Sequence, residues 1–309
     1  SMGHWSPHGA IGFMNILSFW ARGVALVAMA AVLASPAAAR DVLPPLNETP
    51  SGISLPGKFI GFDLASPALA EQMDFYRSVF GWSYRSPTPT EDGYVLVLND
   101  GKPIGGMFSY DPPEGEQDGA VWVCLMSVGD VDAAARVTKA NGGQLELGPA
   151  EVPRRGRHAL FRDPAGALFG VLRSSSGDPP DGEVPLGGFI WVDLFAREPE
   201  AMSRFYSALA PFETETRSLT ENVPHILLNA HGMARAGIVP VDEEANRSAW
   251  VPYVRVADVE ATLERVVEGG GFAIVAPDKA ILDGNVAVFV DPNGAVTGIV
   301  KWDYDAEAE

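Results

Sequence analysis

The same pattern of residues occurs twice in the chain, and this repeat constrains the fold more than any other feature of the sequence. In the first half the pattern runs through Phe59–Leu64 (Phe-Ile-Gly-Phe-Asp-Leu), Phe75-Tyr76 and Asp163–Gly166 (Asp-Pro-Ala-Gly). In the second half it runs through Phe189–Leu194 (Phe-Ile-Trp-Val-Asp-Leu), Phe205-Tyr206 and Asp291–Gly294 (Asp-Pro-Asn-Gly). A repeat of this length indicates a duplicated domain and not a solenoid unit. Each copy is therefore a control for the other, because residues that the fold requires should recur.

The N-terminal segment predicts export. Residues 1–13 are interpreted as a tag remnant or an over-called start, and residues 14–39 as a signal peptide. Arg22 is followed by an apolar run of about a dozen residues and by Ala37–Ala39, which is typical of a cleavable signal. The alternative, a membrane anchor, is weaker because Pro36 ends the run well short of the roughly 20 residues that a span needs. We expect cleavage near Ala39 and a periplasmic or secreted protein that has no membrane attachment after cleavage.

The charge balance excludes two classes of partner. The chain carries 22 Lys and Arg residues against 40 Asp and Glu residues, a formal net charge of −18. Such an acidic chain is a poor partner for nucleic acid or for an anionic membrane surface. Cys124 is the one cysteine, so an exported form must be stable without disulfides.

The repeat and the composition divide the chain into segments. We predict a leader at residues 40–56, a first domain at 57–173, a linker at 174–186, a second domain at 187–304 and an acidic tail at 305–309. Within each domain the pattern strand, helix, strands occurs twice. In the first helix, the spacing places Leu69, Met73, Tyr76 and Phe80 on one buried stripe that ends at Gly81. Asn99–Gly101 (Asn-Asp-Gly) predicts a β-hairpin.

The order of these motifs resembles one superfamily. A helix that ends in Phe-Tyr-x-x-x-Phe-Gly-Trp (Phe75–Trp82), a Val-x-Asp-Val-Asp/Glu segment before the next helix and a closing Asp-Pro-x-Gly resemble the vicinal oxygen chelate superfamily. This group contains glyoxalases, bleomycin-resistance proteins and extradiol dioxygenases. The resemblance implies an α+β fold of two tandem glyoxalase-like domains. Each would consist of two βαβββ modules that form a curled mixed β-sheet cup with helices outside. It also implies a monomer whose two domains pair as an intramolecular pseudo-dimer.

Many members of this superfamily bind a divalent metal in the cup, but the resemblance maps unsuitable residues onto the ligand positions. In the first copy these positions are Asp63, Val123 and Gly170, and in the second Asp193, Val251 and Gly298; the middle one could instead be Cys124 or Pro252. Catalytic metal sites need about three protein ligands, and Val and Gly side chains supply none. We therefore predict no metal cofactor. A divalent metal held by an unusual set, such as Asp193 with His225, is the alternative.

Side-chain alternation along the strands predicts the lining of each cup. In the first cup, Asp63 shares its face with Gly61 and Phe59, and Ser127 shares that of Val123, so this cup should be mostly apolar. In the second cup, the matching positions are Asp193, Trp191 and Phe189 on one strand and Tyr253 and Arg255 on another. His225 aligns with Val95 and is the candidate among the histidines for lining the pocket, with a structural role as the alternative. His158 is expected to be half-buried and His231 exposed.

The second cup is the predicted ligand site, because it combines an aromatic wall with a few polar groups. Its predicted ligand-binding residues are Trp191, Asp193, Tyr253, Arg255 and His225. Asp63 and Ser127 form a weaker candidate site in the first cup. Asp193 is a weak catalytic candidate, as a general base if burial raised its pKa. The structural alternative is that Trp191 and Tyr253 fill a core, that Arg255 pairs with a surface acid and that the recurring aspartates serve the fold.

Three hypotheses for function follow from the sequence. The first is an exported, metal-free module that binds a small, partly aromatic molecule in the second cup. The second is a lyase, isomerase or dioxygenase with an atypical metal-ligand set. The third is a protein-interaction module in which both cups are vestigial.

Overall fold

The computed structural model describes residues 43–86, 94–110, 119–242 and 248–304. The predicted tag, signal peptide and acidic tail lie outside these residues, so cleavage near Ala39 and export stay predictions. Among the described residues, no helix is both long and apolar enough to cross a bilayer.

The first domain is built from eight strands and two α-helices. Its elements are β1 (Phe59–Ser66), α1 (Leu69–Phe80), β2 (Ser83–Arg85), β3 (Tyr94–Asn99), β4 (Lys102–Ser109), β5 (Val121–Ser127), α2 (Val131–Ala140), β6 (Gln144–Val152), β7 (Gly156–Arg162) and β8 (Leu168–Ser174). The strands form one sheet in the order β2-β3-β4-β1-β5-β8-β7-β6. Two βαβββ modules therefore join through the antiparallel pair β1–β5.

The second domain repeats this arrangement. Its elements are β9 (Phe189–Ala196), α3 (Pro199–Leu209), β10 (Glu213–Thr220), β11 (Val223–Ala230), β12 (Met233–Pro240), β13 (Ala249–Arg255), α4 (Val259–Glu268), β14 (Phe272–Val275), a 3₁₀ turn (Leu282–Gly284), β15 (Val286–Val290) and β16 (Val296–Val300). The sheet order is β10-β11-β12-β9-β13-β16-β15-β14. Neither sheet closes into a barrel, which confirms the predicted α+β fold of two tandem domains, each with a curled, half-open cup.

Several recurring residues are explained by local structure. Asp130 and Asp258 cap α2 and α4, because each carboxylate accepts a hydrogen bond from the backbone N–H three residues later. Gly81 ends α1 in the left-handed conformation at φ 75°. The predicted hairpin between β3 and β4 is confirmed, and it turns through positive φ angles at Asp100 and Gly101.

The predicted buried stripe of α1 is correct only at Tyr76. Gln72, Phe75, Tyr76 and Val79 are buried, whereas Leu69, Met73 and Phe80 are only partly buried. The reason is that α1 packs against the second domain, where the Gln72 amide hydrogen-bonds the carboxylate of Asp291. Hydrophobic periodicity cannot detect a buried glutamine whose partner lies in the other copy.

The two domains are joined by reciprocal hydrogen bonds. The hydroxyl of Tyr76 donates to Asp291 Oδ2 over 3.0 Å, and the hydroxyl of Tyr206 donates to Asp163 Oδ2 over 3.0 Å. The other oxygen of each aspartate accepts two backbone N–H groups of its own Asp-Pro-x-Gly turn. The Phe-Tyr and Asp-Pro-x-Gly motifs therefore recur because each serves both its own fold and the contact between the domains.

The apolar cores are also shared between the two domains. One core combines the outer face of β5, β7 and β8 with α3 and its neighbouring strands in the second domain, and includes Phe161, Phe169, Phe205 and Tyr206. A second combines α1 with the outer face of β13, β15 and β16, and includes Phe75, Tyr76, Phe289 and Ile299. Two smaller clusters line the concave faces of the sheets. The helical faces are thus buried between the domains, and the cups remain as separate concave surfaces.

Candidate functional site

Each cup is centred on an aspartate beside a glycine. Asp63 of β1 pairs with Gly106 of β4, and Asp193 of β9 pairs with Gly237 of β12. A Cβ atom on Gly106 would overlap Tyr94 and Asp63, and one on Gly237 would overlap His225 and Asp193. The glycines therefore leave the space through which a side chain from the next strand reaches the carboxylate.

Four predicted site residues meet in the second cup. Asp193 Oδ1 lies 2.8 Å from Trp191 Nε1, which donates to it, and 2.8 Å from His225 Nε2. Tyr253 stands opposite Trp191 in the antiparallel pair β9–β13, and its phenol is close enough to Asp193 to interact with that carboxylate. Three aromatic side chains thus converge on one buried carboxylate. We call Trp191, Asp193, His225 and Tyr253 the Asp193 cluster.

The charge of Asp193 sets the protonation of its neighbours. Burial disfavours the imidazolium form of His225, but the hydrogen bond to Asp193 and the negative charge of Asp193 outweigh burial and raise the pKa of His225. Burial, together with the charge and hydrogen bond of Asp193, raises the pKa of Tyr253 well above its ordinary value. The phenol therefore stays protonated, and the protonated form of the imidazole is favoured over that of an ordinary histidine.

The Asp193 cluster lies in an apolar concave face. The surrounding buried side chains include Phe195, Val239, Val251, Val286 and Val288. Apolar side chains that are only partly buried pack against this lining: Ile190, Trp191, Leu219, Val223, Val241 and Ile274. Asp193 Oδ1 contacts His225 Nε2, which leaves Nδ1 as the ring nitrogen without a contact to this carboxylate. The concave face is thus an apolar surface that carries a few polar groups, among them the His225 imidazole. This is the usual composition of a small-molecule site.

Arg255 does not join the Asp193 cluster, which corrects the sequence-based interpretation. Its Nε donates to the carbonyl of Trp302 over 3.0 Å, and its NH1 group donates to the carbonyl of Val184 over 2.7 Å. The guanidinium also lies over the ring of Tyr304, 4.8 Å from the centroid. Arg255 sits at the end of β13, so its long side chain reaches the linker and the C-terminal segment and holds them there.

Alternation also fails at the start of the first strand in each copy. The β1–β5 register shifts between Phe59 and Gly61, and the β9–β13 register shifts between Phe189 and Trp191. Each shift is a β-bulge, which moves the preceding residue to the other face. Phe59 and Phe189 were expected to face the cups, but they pack in the cores shared between the domains.

Ser127, the second candidate of the first cup, contacts the linker. Its hydroxyl donates to Asp178 Oδ2 over 2.6 Å, and the same carboxylate oxygen accepts the backbone N–H of Leu55. Ser127 and Arg255 thus occupy corresponding strand ends, and both bind connecting segments. Neither contacts the central aspartate of its cup through a hydrogen bond.

In the first cup, Asp63 has a different partner. The hydroxyl of Tyr94 donates to Asp63 Oδ1 over 3.0 Å. Strand register pairs Leu96 with Gly106 and Leu227 with Gly237, so His225 corresponds to Tyr94 and not to Val95. The predicted alignment was wrong by one residue because the loops before β3 and β11 differ in length. Burial raises the pKa of Asp63, although the charge of Arg155 and the bond from Tyr94 act against it.

The first cup is also less apolar than expected. His158 is 6% exposed instead of half-buried, and burial, with the charge of Arg155, lowers the pKa of His158 to about 4. Spacing along the strand could not reveal the depth of the side chain. His231, by contrast, is exposed in its turn as predicted, where a ring nitrogen lies 3.1 Å from the carbonyl oxygen of Pro56.

The metal positions of the superfamily do not fit this chain. A side chain on Gly170 would overlap Leu125, and one on Gly298 would overlap the ring of Tyr253. The third ligand position is therefore filled by an apolar or aromatic neighbour in each cup, and Val123 and Val251 stand beside the aspartates. No group of three or more His, Cys, Asp or Glu side chains suited to a metal occurs among the described residues.

Comparison with known proteins agrees with this architecture. Residues 60–171 match the model of the glyoxalase/bleomycin resistance protein/dioxygenase superfamily. The anthracycline biosynthesis protein DnrV of Streptomyces peucetius is 31% identical over 262 residues, which cover 80% of this chain and 94% of that protein. The chain belongs to the glyoxalase/bleomycin resistance protein/dioxygenase superfamily. The putative glyoxylase CFP32 of Mycobacterium bovis is 25% identical over 241 residues, 77% of this chain and 92% of that protein.

Solved structures show the same fold of this superfamily at low sequence identity. The Mn(II)-bound glyoxalase from Novosphingobium aromaticivorans aligns with a TM-score of 0.55 and 17% identity over 81% of this chain and 83% of that one. The 2,3-dioxygenase LapB from Pseudomonas sp. KL28 aligns with a TM-score of 0.56 and 14% identity over 82% of this chain and 94% of that one. Each alignment is long enough to span both domains of this chain.

Proposed function

We propose that this chain is an exported small-molecule-binding member of its superfamily, which holds a planar, partly aromatic ligand in the second cup without a metal. The observation that carries the proposal is the Asp193 cluster, in which Trp191, His225 and Tyr253 converge on one carboxylate within an apolar concave face. The first copy has Gly61 and Leu125 opposite one another where the second has Trp191 and Tyr253. The aromatic wall is therefore not a requirement of the fold.

The cluster is preorganised for binding. Asp193 already holds the Trp191 indole, the His225 imidazole and the Tyr253 phenol, so little side-chain freedom remains to be lost when a ligand arrives. A flat ligand would lie against Trp191 and the neighbouring aliphatic side chains. Its hydroxyl or carbonyl oxygen would bond to His225 Nδ1, and the charge of Asp193 favours the protonated, donating form of that ring.

The names of two relatives support an aromatic ligand. DnrV of Streptomyces peucetius and DauV of Streptomyces sp. strain C5, each 31% identical to this chain, are both named anthracycline biosynthesis proteins. Anthracyclines combine a planar aromatic system with hydroxyl and carbonyl oxygens, which is the chemistry that the second cup suits. An anthracycline is therefore the first probe to use.

Calorimetric titration of the chain without its signal segment tests the proposal. With an anthracycline as the probe, we expect saturable binding, and the His225→Gln variant should bind at least about tenfold more weakly, as expected for loss of a charge-assisted hydrogen bond. His231→Gln is the matched control, because His231 lies in an exposed turn. Equal affinities in the wild type and both variants would show that the second cup is not the site.

A second candidate function is proton transfer on the bound molecule. It is favoured by the His225–Asp193 contact, since a carboxylate that orients an imidazole and raises its pKa is a common general acid–base arrangement. In this function His225 exchanges the proton and Asp193 positions the ring, which shifts the catalytic role from Asp193 to His225. Incorporation of deuterium from D2O into a C–H bond of the ligand, lost in His225→Gln, would support it.

The metal-dependent alternative from the sequence makes a separate prediction. Asp193 and His225 are in contact, but the described residues add no third acidic, histidine or cysteine ligand beside them. Elemental analysis of the purified protein should therefore find less than one transition metal per chain. A stoichiometric metal that is lost in Asp193→Ala would overturn metal-free binding.

Two further parts of the proposal have their own tests. The test of export is to express residues 14–309 in a bacterial host and to sequence the N-terminus of the exported form. The first residue should lie near Arg40. Retention of residues 14–39 would contradict export.

If no small molecule changes the unfolding temperature, the protein-interaction hypothesis gains support over ligand binding.

A further inference from the structure

The first cup contains two buried nitrogen atoms that lack hydrogen-bond partners. Arg155 Nε and His158 Nε2 are both enclosed, and neither has a partner among the described residues. Native proteins leave few buried polar side-chain atoms unpaired, and each exception calls for an explanation, such as a catalytic role or a bound ion that completes the bonding. His158 itself is 6% exposed.

Both side chains are directed to the concave face of the first sheet. His158 is two residues before Leu160 on β7, so the two share one face of the strand, and Leu160 belongs to the cluster that lines the first cup. Ala159 and Phe161 point to the other face, into the core between the domains. Arg155 lies in the turn before β7, and its charge acts on Asp63, Tyr94 and His158.

The second copy shows that the fold does not require these residues. Leu160 pairs with Gly170 and Val288 pairs with Gly298, and two residues earlier His158 pairs with Leu172 as Val286 pairs with Val300. His158 therefore corresponds to Val286, which is part of the apolar lining of the second cup. Because a valine occupies the same position in the matching sheet of the second copy, the fold alone does not explain why a histidine is buried in the first.

We propose that the first cup binds a small molecule with a carboxylate group, and that Arg155 and His158 bind this carboxylate. This site is separate from the proposed function, because it lies in the other domain and shares none of its residues with the Asp193 cluster.

The chemistry of the cup selects an anion. The planar guanidinium of Arg155 matches a carboxylate through two parallel hydrogen bonds. A neutral His158 with its proton on Nε2 adds one more donor.

The rest of the first cup suits an apolar body attached to the carboxylate. Phe108, Leu125 and Leu168 belong to the lining. On one rim, Leu43 of the leader packs against Tyr94, Leu147 and Val152. The leader thereby adds apolar surface to the cup, and a ring or short aliphatic chain would lie against these side chains.

Titration with benzoate tests this site, and benzamide is the neutral control ligand of the same shape. For the wild-type protein we expect benzoate to bind at least about tenfold more tightly than benzamide, as expected when a charge-assisted bond is lost. Arg155→Gln should weaken benzoate binding at least about tenfold. Arg154→Gln, which removes the same charge from an exposed neighbour in the same turn, should change it less than about twofold.

Histidine NMR provides a second measurement in case the Arg155 variant does not fold. Benzoate should shift the ring signals of His158, which are identified by their loss in His158→Gln, and should leave those of His225 unchanged. Binding of benzoate should also persist in His225→Gln, which separates this site from the second cup. The proposal is wrong if benzoate and benzamide bind equally, if Arg155→Gln binds benzoate as the wild type does, or if His158 does not respond.

Discussion

His225 Nε2 lies 2.8 Å from Asp193 Oδ1, at the position where Tyr94 bonds to Asp63 in the first copy. The two cups thus present the same carboxylate to two different partners. A phenol bonded to a carboxylate stays protonated, because burial and the charge of Asp63 raise the pKa of Tyr94 well above its ordinary value. In the second copy, burial acts against protonation of the His225 imidazole, but the hydrogen bond to Asp193 and the charge of Asp193 raise its pKa. This exchange of one side chain gives the second cup a proton donor and acceptor that the first cup lacks at this position.

The His225–Asp193 contact predicts a measurable change in protonation. In Asp193→Asn, the charge that raises the pKa of His225 is lost while burial remains. The pKa of His225 should therefore fall from above the ordinary histidine value of about 6.5 to below it. Histidine NMR against pH measures both values. An unchanged pKa of His225 would show that Asp193 does not control the ring.

The glycine opposite each aspartate should be intolerant of a larger side chain. In Gly237→Ala, the new methyl group would overlap both His225 and Asp193, so the free energy of unfolding should fall by about 1–3 kcal/mol, as in other overpacked sites. Binding in the second cup should weaken as His225 moves away. Gly129→Ala is the control, because nothing lies within 4 Å of its added methyl group. Chemical denaturation measures the free energy of unfolding of both variants. Equal values would show that a methyl group at position 237 does not disturb His225 and Asp193.

The hydroxyl of Tyr206 should contribute more to stability than an ordinary phenol. It donates to Asp163 and accepts a hydrogen bond from Trp250 Nε1 over 2.8 Å. Tyr206→Phe leaves two buried groups without this partner and should lower the free energy of unfolding by about 2 kcal/mol or more. Tyr84→Phe is the matched control, since the hydroxyl of Tyr84 is buried without a partner among the described residues. Removal of the Tyr84 hydroxyl should leave the free energy of unfolding unchanged or raise it. If denaturant unfolding shows Tyr84→Phe to be the more destabilising variant, the hydroxyl of Tyr206 does not stabilise the contact between the domains.

The interface aspartates predict how stability changes with pH. Burial raises the pKa of Asp163 and of Asp291 from 3.8 to about 6, despite hydrogen bonds that act in the opposite direction. The folded state thus holds protons that the unfolded state has already released, and these two groups favour folding at low pH. Their contribution is lost as the pH rises through about 6.

The Asp291→Asn variant isolates this effect. Between pH 5 and pH 7, the wild type should lose about 1 kcal/mol more of its unfolding free energy than the variant, because the amide that replaces the carboxyl group cannot ionise. Denaturant unfolding at the two pH values gives the difference, and the other titrating groups, which both proteins share, cancel. An identical pH dependence would mean that the pKa of Asp291 is not raised in the folded state, so that this carboxyl group is already ionised at pH 5.

The sequence predicted the fold because the repeat, the helix caps and the turns are local features. It also placed Trp191, Asp193 and Tyr253 on one face, since alternation holds along those segments of β9 and β13. It failed at Phe189, where a bulge shifts the register, and at Arg255, whose length lets it reach the linker.

Other features depend on contacts that are distant in sequence. Gln72 is buried because its partner is Asp291 in the other domain. Arg155 lies in the turn between β6 and β7, and its charge acts on Asp63 in the other βαβββ module of the domain. No spacing rule links the two residues. A comparison of strand registers in both copies, which requires the structure, was also needed to align His225 with Tyr94.

We propose that the second cup binds a planar aromatic molecule through His225. Titration of the histidine-labelled protein with an anthracycline, followed by NMR of the ring signals, tests it most directly. We expect the signals of His225 to shift and to saturate with ligand, while those of His158 and His231 stay in place. Signals of His225 that do not change at saturating ligand, or a response at His158 instead, would contradict it.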